Sequence, residues 1–496
     1  MCEICRSAGL SRRNFLRTAL GGTAAAAFLP GFLAKPAAAA ELPAGVGQPG
    51  RRTLIRGGHV MSMDPAVGDF VGGDVLLEGD RIVEVGQSID APDAEVIDAE
   101  GRIVMPGFVD THHHQFETSL RSYLPNGIMF PDPTRPGARN YLDDILGKFS
   151  KVFRPEDVYI AELFGGLSQL DAGVTTVLDV SQIHHSPEHS DAVIEGMKAA
   201  GRRGVFGYFE GYGPDVQYPQ DARRIRDEHF ASDDQLLTML MGGEAYLPGV
   251  DPLELWNLGK ELDLMIGLHV VGSLGMQETM DKLIPHYTDK HLFIHMTGMS
   301  DAAWNRAQEV GAHISLSVPI EMQMRHGMPP IQKALDLNMQ PSLSVDVECT
   351  MTADFFTQMR GAMTLQRALA NQQALEQGPE NAPSLLAARD VLEMATVNGA
   401  RGLKLDHKTG SLTPGKQADV ILLSADALNV APLNNVPGAV VTLMDRSNVE
   451  TVMVAGQIRK WQGAMVGHDI AALTDRITAS RDHLFEAADT EIPLFD

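Results

Sequence analysis

The chain has 496 residues, of which 44% are hydrophobic, and a formal net charge of −24. This length and composition allow a large buried core and suit one large domain with a smaller module. Nucleic acid is excluded as a partner, because phosphate backbones attract Lys and Arg clusters and the sequence contains none. With only Cys2, Cys5 and Cys349, the chain also offers no disulfide framework.

Residues 1–40 follow the order of an export signal. The run Ser11-Arg12-Arg13-Asn14-Phe15-Leu16 precedes an Ala-rich apolar stretch, and small residues close the segment at 37–40. The arginine pair resembles a twin-arginine signal, which is read by a transporter of folded proteins. We therefore expect the twin-arginine export machinery as a partner and a periplasmic or secreted location. An ordinary secretory signal or a retained anchor stays open.

Short alternating runs broken by Gly and Asp occur near both ends of the rest of the chain. Between residues 53 and 105 they predict hairpins of a small sheet. The same alternating pattern occurs again only after Gly410. We therefore predict that residues 51–105 and 405–465 pair into one composite β-sandwich domain. Residues 466–496 are predicted to form a C-terminal helical tail.

Strand-like runs alternate with helical patterns between these two segments. One helix is expected to begin at Arg154-Pro155 and to end before Gly173, since proline and glycine are typical of these boundaries. Strands are predicted at 104–110, 174–179, 204–210, 236–242, 264–269, 291–295, 312–318 and 342–346. Eight such units predict an α/β fold, with a (β/α)8 TIM barrel over residues 106–404. A doubly wound sheet is less favoured, because polar residues end many different strands.

The segment Asp110-Thr111-His112-His113-His114 ends the first predicted barrel strand. The alternation of a strand directs His112 and His114 to the same side, where both imidazoles can reach one cation. A histidine cluster in a loop would explain this segment if it stood alone. However, His269, His295 and Asp346 end further strands, so they can converge over the same barrel mouth. Imidazoles with a carboxylate suit one divalent metal per chain, Zn²⁺ first and Fe²⁺ second.

In their order along the chain, these motifs resemble the amidohydrolase superfamily. The matching segments are 105–114, 171–179 and 410–419, together with the residues at the strand ends. This pattern of motifs is most similar to the branch of triazine hydrolases and S-adenosylhomocysteine-type deaminases. The resemblance implies that the metal is ligated by His112, His114, His269 and Asp346. It also implies that His295 lies beside the substrate, or joins the ligands if two metals bind.

The chemistry expected of this set is attack by a water that the metal activates. Asp346 would take the proton of that water, and His295 would steady the developing negative charge. A two-metal site in this family often uses a modified lysine on the fourth strand, and residues 235–250 contain no lysine. One metal is therefore favoured.

The sequence departs from the deaminase pattern after the fifth strand. Deaminases of this branch usually carry a glutamate three residues after the histidine, whereas this chain has His269-Val270-Val271-Gly272. We therefore expect hydrolysis of an amide-like or cyclic amide C–N bond of a small molecule. Deamination or dehalogenation of a nitrogen heterocycle is the alternative, and an inactive exported binding protein is a third interpretation. Glu244 could replace the missing acid, bridge a second metal or be structural.

Apolar and aromatic residues occur in loops that should surround the barrel mouth. Among them, Phe116, Tyr246 and Met322 are candidate substrate-binding residues and would suit an apolar or aromatic substrate. The chain could also form a homo-oligomer, on which its sequence gives no signal.

Overall fold

A computed structural model describes residues 41–495. The twin-arginine signal predicted over 1–40 lies outside the described residues. From Leu42 onward the chain forms one compact unit. Within the described part of the chain, no helix has the length and apolarity needed to cross a membrane.

The chain begins with strands of a mixed sheet. They are β1 (Arg52–Met61), β2 (Asp69–Glu78), β3 (Arg81–Gly86), β4 (Glu95–Asp98) and β5 (Arg102–Pro106). β1 is central to this part of the sheet, since it pairs antiparallel with β2 and parallel with both β4 and β5. Its Leu54 and Ile55 are fully buried on opposite faces, so both sides of the sheet are covered.

Eight parallel strands follow in consecutive order and form the barrel. They are β6 (Phe108–His113), β7 (Val174–Ser181), β8 (Arg203–Tyr208), β9 (Leu237–Gly242), β10 (Met265–His269), β11 (His291–Ile294), β12 (His313–Leu316) and β13 (Ser342–Leu343). The barrel closes just beyond β13, where His114 N donates to Asp346 O over 2.8 Å and Asp346 N donates to His112 O over 2.9 Å. The predicted TIM barrel is thereby confirmed, and its closure joins three predicted metal ligands.

The first barrel strand does not start where the sequence predicted. The predicted strand 104–110 covers the end of β5 and the start of β6, which belong to different sheets. The chain passes between the sheets at Gly107, whose N donates to Asp419 O over 3.1 Å. A side chain at Gly107 would collide with Thr175 of β7. Continuous apolar character across 103–109 concealed this change of sheet.

The helix expected from Arg154-Pro155 to Gly173 spans Pro155–Asp171. The carboxylate of Asp157 fixes its start by accepting a hydrogen bond from Arg154 N over 3.0 Å. The other helices are Pro187–Ala200, Ala222–His229, Pro252–Glu261, Gln277–Leu283, Asp301–Val310, Val318–Gln323, Ile331–Asp336, Phe355–Gln377, Ala388–Met394, Val397–Gly402, Val436–Thr442 and Ile470–Ala487.

The last strands return to the first sheet. They are β14 (Val420–Ser424), β15 (Val449–Val454), β16 (Gln457–Trp461) and β17 (Ala464–Met465). β14 pairs antiparallel with β5, opposite Pro106 at its first residue, and completes a sheet of nine strands. The pairing of the two chain ends agrees with the predicted composite module. The C-terminal helix Ile470–Ala487 then lies in the segment predicted as a helical tail.

Candidate functional site

Two imidazoles project from the end of β6 into the barrel mouth. His114 Nδ1 donates to the carbonyl of Val180 over 3.0 Å, so that its Nε2 carries a lone pair. The Nε2 atoms of His112 and His114 are only 3.0 Å apart, and both rings are buried. As expected from strand alternation, the two side chains face the same point.

His269 completes a triangle of ring nitrogens from the end of β10. Its Nδ1 donates to Glu244 Oε1 over 2.6 Å, which directs the lone pair of Nε2 toward the other two rings. That Nε2 lies 3.1 Å from His112 Nε2 and 3.2 Å from His114 Nε2. A tetrahedral cation with bonds of about 2.0–2.1 Å has ligands roughly 3.3 Å apart. The donors therefore fit a divalent metal, and facing lone pairs at this distance repel unless a cation lies between them.

Asp346 lies just beyond β13, beside the end of β6, and approaches the same point. Its Oδ1 lies 3.8 Å from His112 Nε2 and 3.7 Å from His114 Nε2, while its Oδ2 lies 3.5 Å from His295 Nε2. Asp346 and His295 both have a φ of 71°, in the left-handed region that only glycine enters readily. Backbone strain of this kind is typical of functional sites.

Burial sets the charge of the metal-binding groups. It lowers the pKa of His112 and His114 well below the usual value, so both rings are in the neutral form that binds a metal. Burial also raises the pKa of Asp346 well above its usual range, and the nearby carboxyl groups of Glu117, Glu321 and Asp110 add to this effect. A cation at this point would offset the cost of a buried carboxylate.

Glu244 acts on His269 rather than on the cavity. Its carboxylate accepts hydrogen bonds from both the backbone N and the Nδ1 of His269. It is fully buried and is not among the cavity-lining residues of the described chain. The structure therefore does not support Glu244 as the replacement acid or as a bridge between metals. A carboxylate behind a ligating histidine orients the ring and makes it a stronger donor.

His295 has a similar carboxylate partner that the sequence analysis did not identify. His295 Nδ1 donates to Glu321 Oε1 over 3.0 Å, and Ser317 N donates to the same oxygen over 2.9 Å. Glu321 lies on the short helix that follows β12, and its side chain is fully buried. Its only sequence signal is its place directly after the apolar run Val318-Pro319-Ile320, which was insufficient to assign a partner.

Asp110 holds the first and last barrel strands together beneath the ligands. Its Oδ1 accepts from Val345 N over 3.1 Å and from His112 N over 3.3 Å, and its Oδ2 accepts from Gln169 Nε2 over 2.7 Å. Val345 directly precedes the predicted ligand Asp346, and His112 is itself a predicted ligand. Asp110 therefore positions the backbone beside the candidate ligands.

A cavity with about 530 Å³ of empty space opens beside these residues. The polar groups on its wall include Gln182 and Tyr246, which share hydrogen bonds with the carboxylate of Glu210. Its other walls are largely apolar and are formed by Met129, Tyr141, Leu142, Leu146, Val271, Leu274, Met324 and Val347. A concave, largely apolar cavity with few polar groups is typical of a small-molecule site.

Of the three candidate substrate-binding residues, the structure places one at the cavity. Tyr246 lines it, whereas Phe116 packs fully buried against the rings of His114 and Phe153. Met322 is 45% exposed and lies on the outer side of its short helix. Its neighbour in that segment, Met324, lines the cavity instead. Phe116 and Met322 therefore do not line the cavity, because loop conformation decides which side chains face inward.

Comparison with known proteins identifies relatives of this fold. The model of the amidohydrolase family matches residues 103–459. A 5'-deoxyadenosine deaminase of Methanosarcina mazei is 27% identical over 422 residues, covering 82% of this chain and 92% of the relative. A 5-methylthioadenosine/S-adenosylhomocysteine deaminase of Desulfitobacterium hafniense is 27% identical over 424 residues, covering 80% and 91%.

Two solved structures share the architecture. An adenosine deaminase from Xanthomonas campestris with bound zinc superposes with a TM-score of 0.75 at 22% identity, covering 88% of this chain and 98% of that one. An atrazine chlorohydrolase from Arthrobacter aurescens complexed with zinc gives a TM-score of 0.74 at 20% identity, covering 86% and 100%. Both likenesses concern the fold.

Proposed function

Because the chain belongs to the amidohydrolase family and is a hydrolase of carbon–nitrogen bonds, we propose that its substrate bond is amide-like or part of a cyclic amide. The metal centre is formed by His112, His114, His269 and Asp346, with zinc as the expected ion. The observation that carries the proposal is the triangle of three Nε2 atoms, 3.0–3.2 Å apart, beside the carboxylate of Asp346.

The side chains around the metal centre have separate roles in the reaction. A divalent cation held there would lower the pKa of a bound water toward about 7. Asp346 takes the proton of that water and passes it to the leaving nitrogen. His295 Nε2 lies 3.5 Å from Asp346 Oδ2, and in its protonated form, with Nδ1 donating to Glu321, it would donate to the negative charge that develops on the substrate.

The preference for an amide-like bond over ring deamination follows from the carboxyl groups that line the cavity. Among the described residues that line it, Asp346 is the only carboxylic acid. A glutamate cannot replace Gly272 without a shift, since a Cβ there would lie 2.9 Å from Gly298 Cα and from Thr297 O. Protonation of a heteroaromatic ring nitrogen therefore has no second acid to perform it. Hydrolysis of an amide-like bond needs only Asp346 as both base and acid.

Deamination of an aminated heterocycle is the second candidate function. It is favoured by the two deaminase relatives, which match about four fifths of this chain. In this case Asp346 would have to protonate the ring as well as accept the proton of water.

For localisation, we propose export through the twin-arginine pathway, supported by the arginine pair at Arg12 and Arg13.

Substrate screening distinguishes the two candidates. The purified protein, loaded with zinc, should be assayed against panels of amides, lactams, cyclic ureas and aminated purines or pterins, with product formation and ammonia measured separately. We expect turnover of an amide or cyclic amide without release of ring ammonia. Ammonia release from the amino-heterocycles, with amides and cyclic ureas left intact, would instead establish deamination.

A further inference from the structure

The wall of the cavity contains a carboxamide whose oxygen has no hydrogen-bond donor. Gln182 directly follows β7, is 2% exposed and lines the cavity. Its Nε2 donates to Glu210 Oε1 and to the hydroxyl oxygen of Tyr246, each over 2.9 Å. Its Oε1 has no partner among residues 41–495. A buried carbonyl oxygen without a donor costs free energy, so this atom calls for a donor from outside the chain.

The neighbours of Gln182 fix the orientation of its carboxamide. The hydroxyl of Tyr246 donates to Glu210 Oε1 over 2.7 Å, so it has no proton left for Gln182. Burial and the nearby carboxyl group of Glu210 raise the pKa of Tyr246 well above its usual range, which keeps the hydroxyl protonated. Rotation of the amide by half a turn would set its oxygen against the oxygens that now accept from Nε2. The amide therefore presents its oxygen on the side away from Glu210.

Contacts with two of the proposed metal ligands place this carboxamide beside the metal centre. The carbonyl of Val180, two residues before Gln182, accepts from His114 Nδ1 over 3.0 Å. The ring of Tyr246 lies 6.3 Å from the ring of His269 between centroids, at an inclination of 61°. The carboxamide thus belongs to the part of the wall next to the reacting bond.

We propose that Gln182 Oε1 accepts a hydrogen bond from a free N–H of the substrate, beside the bond that is cleaved. This inference rests on the proposed function and narrows its substrates to amides, cyclic amides and cyclic ureas with an unsubstituted nitrogen. An N-methylated analogue leaves the buried oxygen without a donor and places a methyl group against it. A site built to bind a substrate N–H discriminates strongly against an analogue that lacks it.

The test compares the binding of paired probes to the zinc-loaded protein. The probes are oxindole, a lactam, and 2-benzimidazolinone, a cyclic urea, each measured against its N-methylated derivative by calorimetry. We expect the N–H form of each pair to bind about 10–100-fold more tightly, the usual effect of satisfying a buried acceptor. Binding is measured apart from turnover, so the result does not require that either probe is cleaved.

A variant assigns this preference to one side chain. In Gln182→Met the side chain keeps its length but has no amide oxygen, so the affinity ratio of each pair should fall to near unity. Unchanged zinc content and unchanged binding of the N-methylated probes show that the variant folds. Gln358→Met is the matched control, since Gln358 is equally buried but is not among the cavity-lining residues of the described chain. It should keep the full ratio.

Two results would overturn the proposal. One is the absence of any preference for the N–H probes in the unmodified protein, and the other is retention of the full preference by Gln182→Met. Equal hydrolysis of N–H and N-methylated amides would likewise overturn it while leaving the proposed function intact. A protein that prefers the N–H probes but cleaves no amide or cyclic amide would instead refute the hydrolysis alone.

Discussion

At the scale of single residues, the proposed metal centre is expected to depend on Glu244, a carboxylate outside its ligand set. Glu244 is the acceptor for both the backbone N and the Nδ1 of His269. In Glu244→Gln one of these two N–H donors loses its carboxylate acceptor, so the imidazole ring of His269 is held less firmly. We expect zinc affinity to fall by about 10–100-fold, as for other partners of ligating histidines. Competition with a chromophoric chelator measures this change.

The control for this variant is Glu254→Gln, which removes an exposed carboxylate on the helix Pro252–Glu261. Its zinc affinity should equal that of the unmodified protein. If Glu244→Gln kept full zinc affinity and lost turnover, Glu244 would instead act in the chemistry itself.

Asp346 is expected to carry the proton transfers. In Asp346→Asn the side chain keeps its size but cannot accept a proton from water. We expect turnover to fall by about 10²–10⁴-fold, the usual contribution of a general base. Steady-state rates are to be divided by the measured zinc content, since Asp346 is also a candidate ligand. Asp98→Asn, at an exposed strand end, should leave the rate unchanged. Unchanged turnover in the zinc-loaded Asp346→Asn protein would contradict this role.

The sequence predicted those site residues whose position follows from local structure. His112 and His114 alternate on one strand, and His269, His295 and Asp346 end later strands, so a barrel alone brings them together. Glu244, Glu321 and Gln182 reach the site through loops and a short helix. Their partners are distant in sequence, and no periodicity records such contacts.

At the scale of elements, two loops meet closely beside the cavity. Gly272 follows β10, and its Cα lies against Gly298, which follows β11 with a φ of 67°. A Cβ on Gly272 would lie 2.9 Å from the backbone of Thr297 and Gly298. We therefore expect Gly272→Ala to lower the free energy of unfolding by about 1–3 kcal/mol, the usual effect of overpacking. Chemical denaturation measures this difference.

Gly86→Ala is the matched control, because the nearest atom to its added Cβ would be 3.9 Å away, in ordinary contact. Its free energy of unfolding should stay within about 0.5 kcal/mol of the unmodified protein. Equal stability of the two variants would show that the loops can separate. A glutamate at 272 would then also be permitted, and the argument against ring deamination would weaken.

Strong local signals decided which elements were predicted correctly. The helix Pro155–Asp171 has proline at its start and Gly173 after its end, and the prediction matches its bounds closely. By contrast, the division between β5 and β6 depends on which sheet each strand joins. Hydrophobicity is continuous there, so the sequence predicted one strand. Tertiary pairing, rather than local preference, sets that boundary.

At the scale of the whole molecule, a buried ion pair joins the barrel to the composite sheet. Arg203 at the start of β8 donates to both carboxylate oxygens of Asp419, just before β14, over 2.6 and 3.1 Å. Both side chains are almost completely buried. Asp419→Ala leaves the guanidinium without its partner, so we expect a loss of about 3–5 kcal/mol in stability. Thermal unfolding of the zinc-loaded protein measures it.

The exposed pair Arg223–Glu261 provides the comparison, with 2.7 Å between its closest atoms. Glu261→Ala should cost less than about 1 kcal/mol, because water screens the pair. Similar losses in the two variants would show that burial does not strengthen the contact between barrel and sheet.

Metal removal should also destabilise the whole barrel, since the proposed ligands come from its first, fifth and last strands. A metal that binds only the folded chain stabilises it by about 4 kcal/mol when free metal exceeds the Kd a thousandfold. We expect chelation to lower the unfolding temperature and added zinc to restore it. His112→Gln should show no such response. An unfolding temperature that is independent of zinc would contradict a metal bridge between these strands.

The pairing of β5 with β14 has a consequence for how the protein is made. The edge of β5 emerges from the ribosome more than three hundred residues before its partner strand. At ordinary rates of synthesis this interval lasts on the order of half a minute. Through that time the nascent chain presents an unpaired, apolar strand edge, which is a site for aggregation. Production of this protein should therefore depend on chaperones that shield the N-terminal strands until translation is complete.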